Sequence, residues 1–147
     1  RLPGLPGRGA IVIKYGHPIQ PLVVVVAHLA LGEKVRNTQL SYLARLLADY
    51  KYVVMMGDFN CRLAHLDNSP LAALGLQTVQ ADNLNTYPSW APDRHIDHIL
   101  LSPDLESRHT RVLTDCLLSD HLPLATEIVI PDEVVAATRE HRLPLIS

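Results

Sequence analysis

Two cysteines, Cys61 and Cys116, are too few for a disulfide framework and are not spaced as zinc ligands. They read as half-buried thiols, the usual habit of free cysteine. Charge of either sign is not in excess: the formal net charge is −2. A strongly electrostatic nucleic-acid binder shows a basic excess or stripe, which is missing here, although a nuclease needs only a local patch. Long hydrophobic runs are also missing. The most apolar stretch, "PLVVVVAHLAL" at 21–31, is far shorter than a membrane span and carries His28. No basic segment followed by an apolar one reads as a secretory signal, so a cytoplasmic location is expected. Neither repeats nor low-complexity segments occur. The opening "RLPGLPGRGA" has no initial methionine and reads as a loop from mid-protein, so the true N-terminus is expected upstream.

What remains is enough for one domain with a core: 147 residues, of which 48% are hydrophobic. After a lead-in marked by Pro3, Gly4, Pro6 and Gly7, "AIVIKYG" and "PLVVVVAHLA" read as two β-branched strands around a turn at Gly16 and Pro18. Residues 22–27 are apolar throughout and predict a strand buried on both faces. A helix is expected over 33–50, because Leu40, Leu43, Leu47 and Tyr50 recur at three- and four-residue steps. Residues 51–56 form another apolar strand, giving a βαβ-like order. Ser69 before Pro70, with Gly75 as the stop, predicts a short helix over 71–74. Polar residues 82–94 read as a long surface loop. "HIDHILLS" and "LPLATEIVI" read as the last strands, with "RVLTDCLL" as a third between them. Residues 1–131 form the expected domain and 132–147 a tail.

Four apolar strands share one oddity, an ionisable or amide residue inside them or at one end: His28, Asp58 with Asn60, Asp97, and Asp120 with His121. Burying an unpaired carboxylate costs several kcal/mol or shifts its protonation. Each has an ordinary explanation. His28 fits a hydrogen-bonded core or edge histidine, Asp58 and Asn60 an Asx-turn, Asp97 a loop cap or a partner of Arg94, and Ser119-Asp120-His121 a polar turn. Those explanations do not account for all four sets in one chain. Side chains that partner one another around a metal or substrate do, and strand ends are where such sites gather. Alternation along "RHIDHIL" turns His98 away from the face that carries Asp97, which makes His98 a structural or surface residue.

Taken together, "VVVVAHLA", Arg36 and Gln39 on the helix, "VVMMGDFN", "TYPSW..DRHIDHIL" and "LSDHLPL" resemble the C-terminal half of the endonuclease/exonuclease/phosphatase superfamily, the deoxyribonuclease I-like fold. The resemblance runs from about Arg8 to Ile130. It implies an α/β (α+β) fold, a four-layer α/β/β/α sandwich whose first half is missing from this chain. It also implies phosphoester hydrolysis with a divalent cation, Mg²⁺ or alternatively Mn²⁺. By the same resemblance His121 would be the general base, Asp97 its carboxylate partner, and Asp120 a group beside the metal. Asp58 would align the nucleophile or a metal, Asn60 would donate to a phosphoryl oxygen, and His28 would hydrogen-bond the phosphate. The chemistry suits these residue types, since phosphoryl transfer needs positioned donors and a cation.

The resemblance includes two motifs that this chain lacks: an asparagine ending the first strand, and a metal-binding glutamate in a Gln-Glu strand. Glu33 and Glu127 do not have that context. The expectation is therefore that the chain is part of a longer enzyme, with a phosphoester substrate and the missing N-terminal half of the same domain as its partners. This segment alone is expected to be inactive. A catalytically dead relative, or a non-catalytic interaction domain that keeps the fold, is the alternative. Family members act on DNA, RNA, inositol phosphates or sphingomyelin, and the sequence does not choose among them. Arg94 and Trp90 precede Asp97 and are candidate substrate contacts, unless Trp90 packs the loop down.

Overall fold

The structure is a computed structural model that describes residues 2–4 and 6–135. Among the described residues the named elements follow in the order β1 (Gly9–Tyr15), β2 (Leu22–His28), α1 (Glu33–Leu47), β3 (Tyr52–Asp58), α2 (Leu63–Asp67), β4 (Gln77–Thr78), β5 (Asp97–Leu101), β6 (Glu106–Val112) and β7 (Leu124–Val129). A 3-10 helix, Pro70–Leu74, lies between α2 and β4. It is capped by the Ser69 hydroxyl and ended by Gly75 in the left-handed region, as its sequence predicts. Five strands form one sheet in the order β1-β2-β3-β5-β4, and β6 pairs with β7 separately. The β2–β3 pair is parallel, as a crossover through α1 requires.

Period-two alternation sorts the large sheet into two faces. Val23, Val25, Val53, Met55 and Leu100 pack against Leu40, Leu43 and Leu47 of α1. Each of those leucines is buried and contributes about 2 kcal/mol, so Leu43→Ala would cost about 3 kcal/mol. On the other face Leu22, Tyr52, Val54, Ile99 and Leu101 meet Leu124 and Ile128 of β7 and Val134. The order is therefore helices, five-stranded sheet, two-stranded sheet. Val134 lies beyond residue 131 and is fully buried in this second cluster. Residues 136–147 of the expected tail lie outside the described residues. Among the described residues no helix is long and apolar enough to cross a membrane.

Three expectations need correction. β2 is not buried on both faces, since Val24 is half-buried and Val26 is 42% exposed. Among the described residues the β6–β7 pair meets the large sheet chiefly at β5, and Ile11, Ile13 and Val26 on that face remain exposed. The strand expected at 111–118 is instead β6, Glu106–Val112, with an irregular register between Arg108 and Arg111 where His109 takes φ 52°. Its half-exposed, mainly polar sequence hid it, while the apolar Leu117 and Leu118 that imitated a strand lie exposed in the following loop. The first helix stops at Leu47, because the Tyr50 amide bonds back to the Leu47 carbonyl and ends the helical turn.

Candidate active site

One rung of the large sheet holds three of the expected side chains. His28 ends β2 and is in register with Asp58, which ends β3. Asp58 is in turn in register with Asp97, which begins β5. By alternation all three point to the face shared with Val54, Met56 and Ile99, at its open end. Gly57 lets β3 reach this rung close to its neighbour. It has φ +131°, and a Cβ there would lie 2.0 Å from the Ala27 carbonyl oxygen.

His121 arrives from the loop before β7, and its Nδ1 lies 2.8 Å from Asp97 Oδ2. With the Asp97 oxygen accepting at this contact, Nδ1 is the donor and Nε2 is left as the acceptor of the neutral ring. Burial by itself lowers the His121 pKa. The hydrogen bond and charge of Asp97, aided by Asp58 and Asp120, outweigh it and raise the pKa above the ordinary value of 6.5. His28 Nε2 stands 3.4 Å from Asp58 Oδ2, and Arg8 Nη1 approaches the other ring nitrogen at 3.4 Å. The Asp58 carboxyl is raised from its usual 3.8, mainly by burial. The Asn60 amide opposes this shift and the charge of Asp97 adds to it.

Asn60 closes an Asx-turn, with its amide N–H donating to Asp58 Oδ1 at 2.8 Å. Its side-chain Nδ2 donates to the Leu29 carbonyl at 2.9 Å and more weakly to Asp58 Oδ2 at 3.3 Å. A left-handed φ of 52° makes this possible, which asparagine tolerates better than most residues. The turn reading of "GDFN" and the site reading therefore describe the same atoms. Arg36 and Gln39, both buried, support the rung from behind. Arg36 Nη1 donates to the carbonyls of Ala30, Leu31 and Asn60, and the Ala30 amide donates to Gln39 Oε1.

The loop before β5 is held against this rung. Ser89 donates its amide to the Asp120 carbonyl and its hydroxyl to the Ser119 carbonyl. The Tyr87 ring lies 4.8 Å from the His121 ring, and the Arg94 guanidinium lies over Tyr87. Trp90 does not pack the loop down, because it is 72% exposed. Asp120 is exposed and accepts from the Ser119 hydroxyl. Thr86, which sequence reasoning passed over, is fully buried and donates its hydroxyl to Asp97 Oδ2 at 2.5 Å. Its place at the head of "TYPSW", eleven residues before Asp97, was the only signal, and nothing local distinguished it from a loop threonine.

Among the described residues one cluster of side chains can gather a metal ion: Asp58, Asp97 and His121, with ligand atoms all within 4.8 Å of one another. Asp120 is not part of it. Two carboxylates on one rung, one of them already raised in pKa, are a donor set that suits a hard oxygen-seeking cation. A cavity of about 320 Å³ opens beside the rung between Val26, Met56, Asp97 and His121. A larger hollow of about 570 Å³ lies at the other end of the strands, between α1 and the 3-10 helix, and contains none of these residues.

A search of curated proteins finds no match. Several solved structures share the fold. A mannosyl-6-phosphatase from Bacteroides thetaiotaomicron is 21% identical with a TM-score of 0.61, over 76% of this chain and 52% of its own. D. rerio TDP2 complexed with a single strand DNA product is 19% identical with a TM-score of 0.67, over 84% and 62%. The human Nocturnin catalytic domain with a bound sulfate anion is 22% identical with a TM-score of 0.54, over 82% and 52%. This chain therefore spans between half and two-thirds of the length of these structures. The model of the Endonuclease/Exonuclease/phosphatase family matches residues 4–121, a span that takes in every member of the rung together with His121, and the chain belongs to that family.

Proposed function

We propose that this chain carries the water-activating part of a divalent-metal-dependent phosphoester hydrolase. The observation that supports it most is the His121 Nδ1 contact with Asp97 Oδ2 at 2.8 Å, one strand away from Asp58. His121 takes a proton from water through Nε2, and Asp97 stabilises the imidazolium that results. Asp58 and Asp120 are the residues we assign to holding Mg²⁺, or Mn²⁺ in its place. A bound cation supplies positive charge to the phosphoryl oxygens. His28 is assigned to the phosphoryl group as a donor, Asn60 to the same group through the Nδ2 hydrogen that here makes the weaker 3.3 Å bond to Asp58 Oδ2, and Arg94 and exposed Trp90 to the rest of the substrate.

The partner is the remainder of the same domain. In this reading an upstream segment covers the open β1–β2 face and brings the further metal ligand. The reading draws on the short span of the chain relative to its structural neighbours. Neighbours named for a sugar phosphate and for a single strand DNA product leave the ester class broad.

The test is turnover by the full-length protein, with Mg²⁺ or Mn²⁺, on DNA, RNA, sugar phosphates, inositol phosphates and phospholipids. Hydrolysis of at least one is expected. His121→Ala should lower it by about 10²–10⁴ with the fold retained. A full-length protein that cleaves none of them, yet binds a macromolecule with or without His121, would mark an interaction domain instead.

A further inference from the structure

We propose that Thr86 is a positioning residue for the Asp97–His121 pair: its hydroxyl fixes the carboxylate that orients the imidazole. The inference rests on the reading of His121 as the base. Thr86 Oγ1 and His121 Nδ1 meet the same oxygen, Asp97 Oδ2, at 2.5 Å and 2.8 Å. Two donors on one oxygen define the plane in which the carboxylate lies. Without them the terminal torsion of an aspartate is broad and roughly two-fold, and the imidazole has no single seat.

The backbone of Thr86 ties the same two partners together. Its amide donates to the Arg94 carbonyl at 2.9 Å, three residues before Asp97. Its carbonyl accepts from the Leu122 amide at 2.8 Å, immediately after His121. One buried residue is thereby linked to the segment that leads into the strand of the carboxylate, to the loop that carries the imidazole, and to the carboxylate itself. A threonine that merely filled space would satisfy its hydroxyl on any nearby carbonyl, as Thr38 does on Lys34. Thr86 spends its hydroxyl on the oxygen that holds His121.

Thr86→Ser and Thr86→Ala both lose the methyl group and differ only in the hydroxyl, so their comparison isolates the proposed role. Two quantities are read. The first is the ring-nitrogen chemical shifts of His121 in this chain, which report whether Nδ1 alone carries the proton of the neutral ring. The second is kcat and KM of the full-length protein on whichever phosphoester it cleaves.

Thr86→Ser should keep the single tautomer and hold kcat within about threefold. Thr86→Ala should mix the tautomers and lower kcat about tenfold or more with KM little changed, the scale on which outer partners of site residues act. Equal impairment of the two variants, in turnover, tautomer or folding, overturns the proposal, because the methyl group would then be what matters. So does an Ala variant indistinguishable from the parent. If the full-length parent has no turnover, the hydrolase reading fails on its own, while the His121 tautomer still decides the question for Thr86.

Discussion

Asp58 and Asp97 face one another across the last register pair of the β3–β5 ladder, two carboxylates where an antiparallel sheet disfavours like charges. Burial first, and then the charge of Asp97, raise the Asp58 pKa from 3.8. A raised carboxyl contributes stability that is fully present below its unfolded pKa and is lost as pH rises through the folded one. Ionised Asp58 therefore works against the apo fold at neutral pH.

A cation on this rung reverses that cost. Mg²⁺ is expected to raise the melting temperature of the parent chain and not that of Asp58→Asn, since only a ligand that binds the native state through the carboxylate stabilises it. Turnover of the full-length variant should fall at least about a hundredfold. Equal Mg²⁺ stabilisation of both proteins in a thermal melt would remove Asp58 from the metal.

Gly57 sets how closely β3 approaches β2 at that rung. Its φ of +131° is unfavourable to side chains, and an added Cβ would collide with the Ala27 carbonyl oxygen of the facing strand, which is backbone and cannot swing away. Gly57→Ala should cost about 3 kcal/mol or more in urea unfolding, because strain and overpacking add. Variants that do fold should lose turnover disproportionately, since Asp58 is the next residue. A midpoint within about 0.5 kcal/mol of the parent would mean that the strand spacing relaxes freely.

The strand ends were legible in the sequence because burial and chemistry conflict there: Asp58 after Val53–Met56 and His28 after Val23–Ala27 are costly unless they have partners. The 3-10 helix was legible from Ser69, Pro70 and Gly75, three residues with specific backbone roles. Thr86 was not, because its role depends on a contact across eleven residues that no local pattern encodes. β6 was missed for a related reason. A strand that covers little core has no apolar alternation to announce it, whereas Leu117 and Leu118 advertised a burial that the described residues do not provide. Trp90 shows the limit from the other side, since a large apolar ring in a loop fits packing as well as substrate contact until its position is known, and it is mostly solvent-exposed.

The uncovered part of the large sheet is itself testable. Among the described residues Ile11 is 65% exposed and Ile13 52%, and they pair with Val26 and Val24 on the face that also carries Val54 and Met56. A contiguous apolar face of this kind favours association. Ile11→Lys with Ile13→Lys should reduce both self-association in light scattering and binding of an apolar dye, with the strand content unchanged. In the full-length protein the same pair should instead be destabilising by several kcal/mol, because charges would be buried against whatever covers the face. Tolerance of both lysines there would show that the face stays open.

His98 governs how the fold answers acid. It is buried behind the rung, packed on Phe59 and His95, and its Nε2 donates to the Cys61 carbonyl at 2.7 Å. Burial lowers its pKa to about 4, only partly offset by that carbonyl, and the neighbouring His95 adds to the lowering. A histidine whose folded pKa lies below the unfolded 6.5 contributes stability that is present above pH 6.5 and lost as pH falls toward 4. The full loss is on the order of 3 kcal/mol. Asp58 has the opposite sign, so the total pH curve mixes the two, and the comparison must be with a variant. His98→Gln keeps an N–H donor within reach of Cys61 but cannot gain a proton. Its urea midpoint should therefore change less than the parent's between pH 6.5 and about 4. Parallel curves for the two proteins would mean that His98 stays neutral across that range in the unfolded chain as well, or charges in the fold without cost.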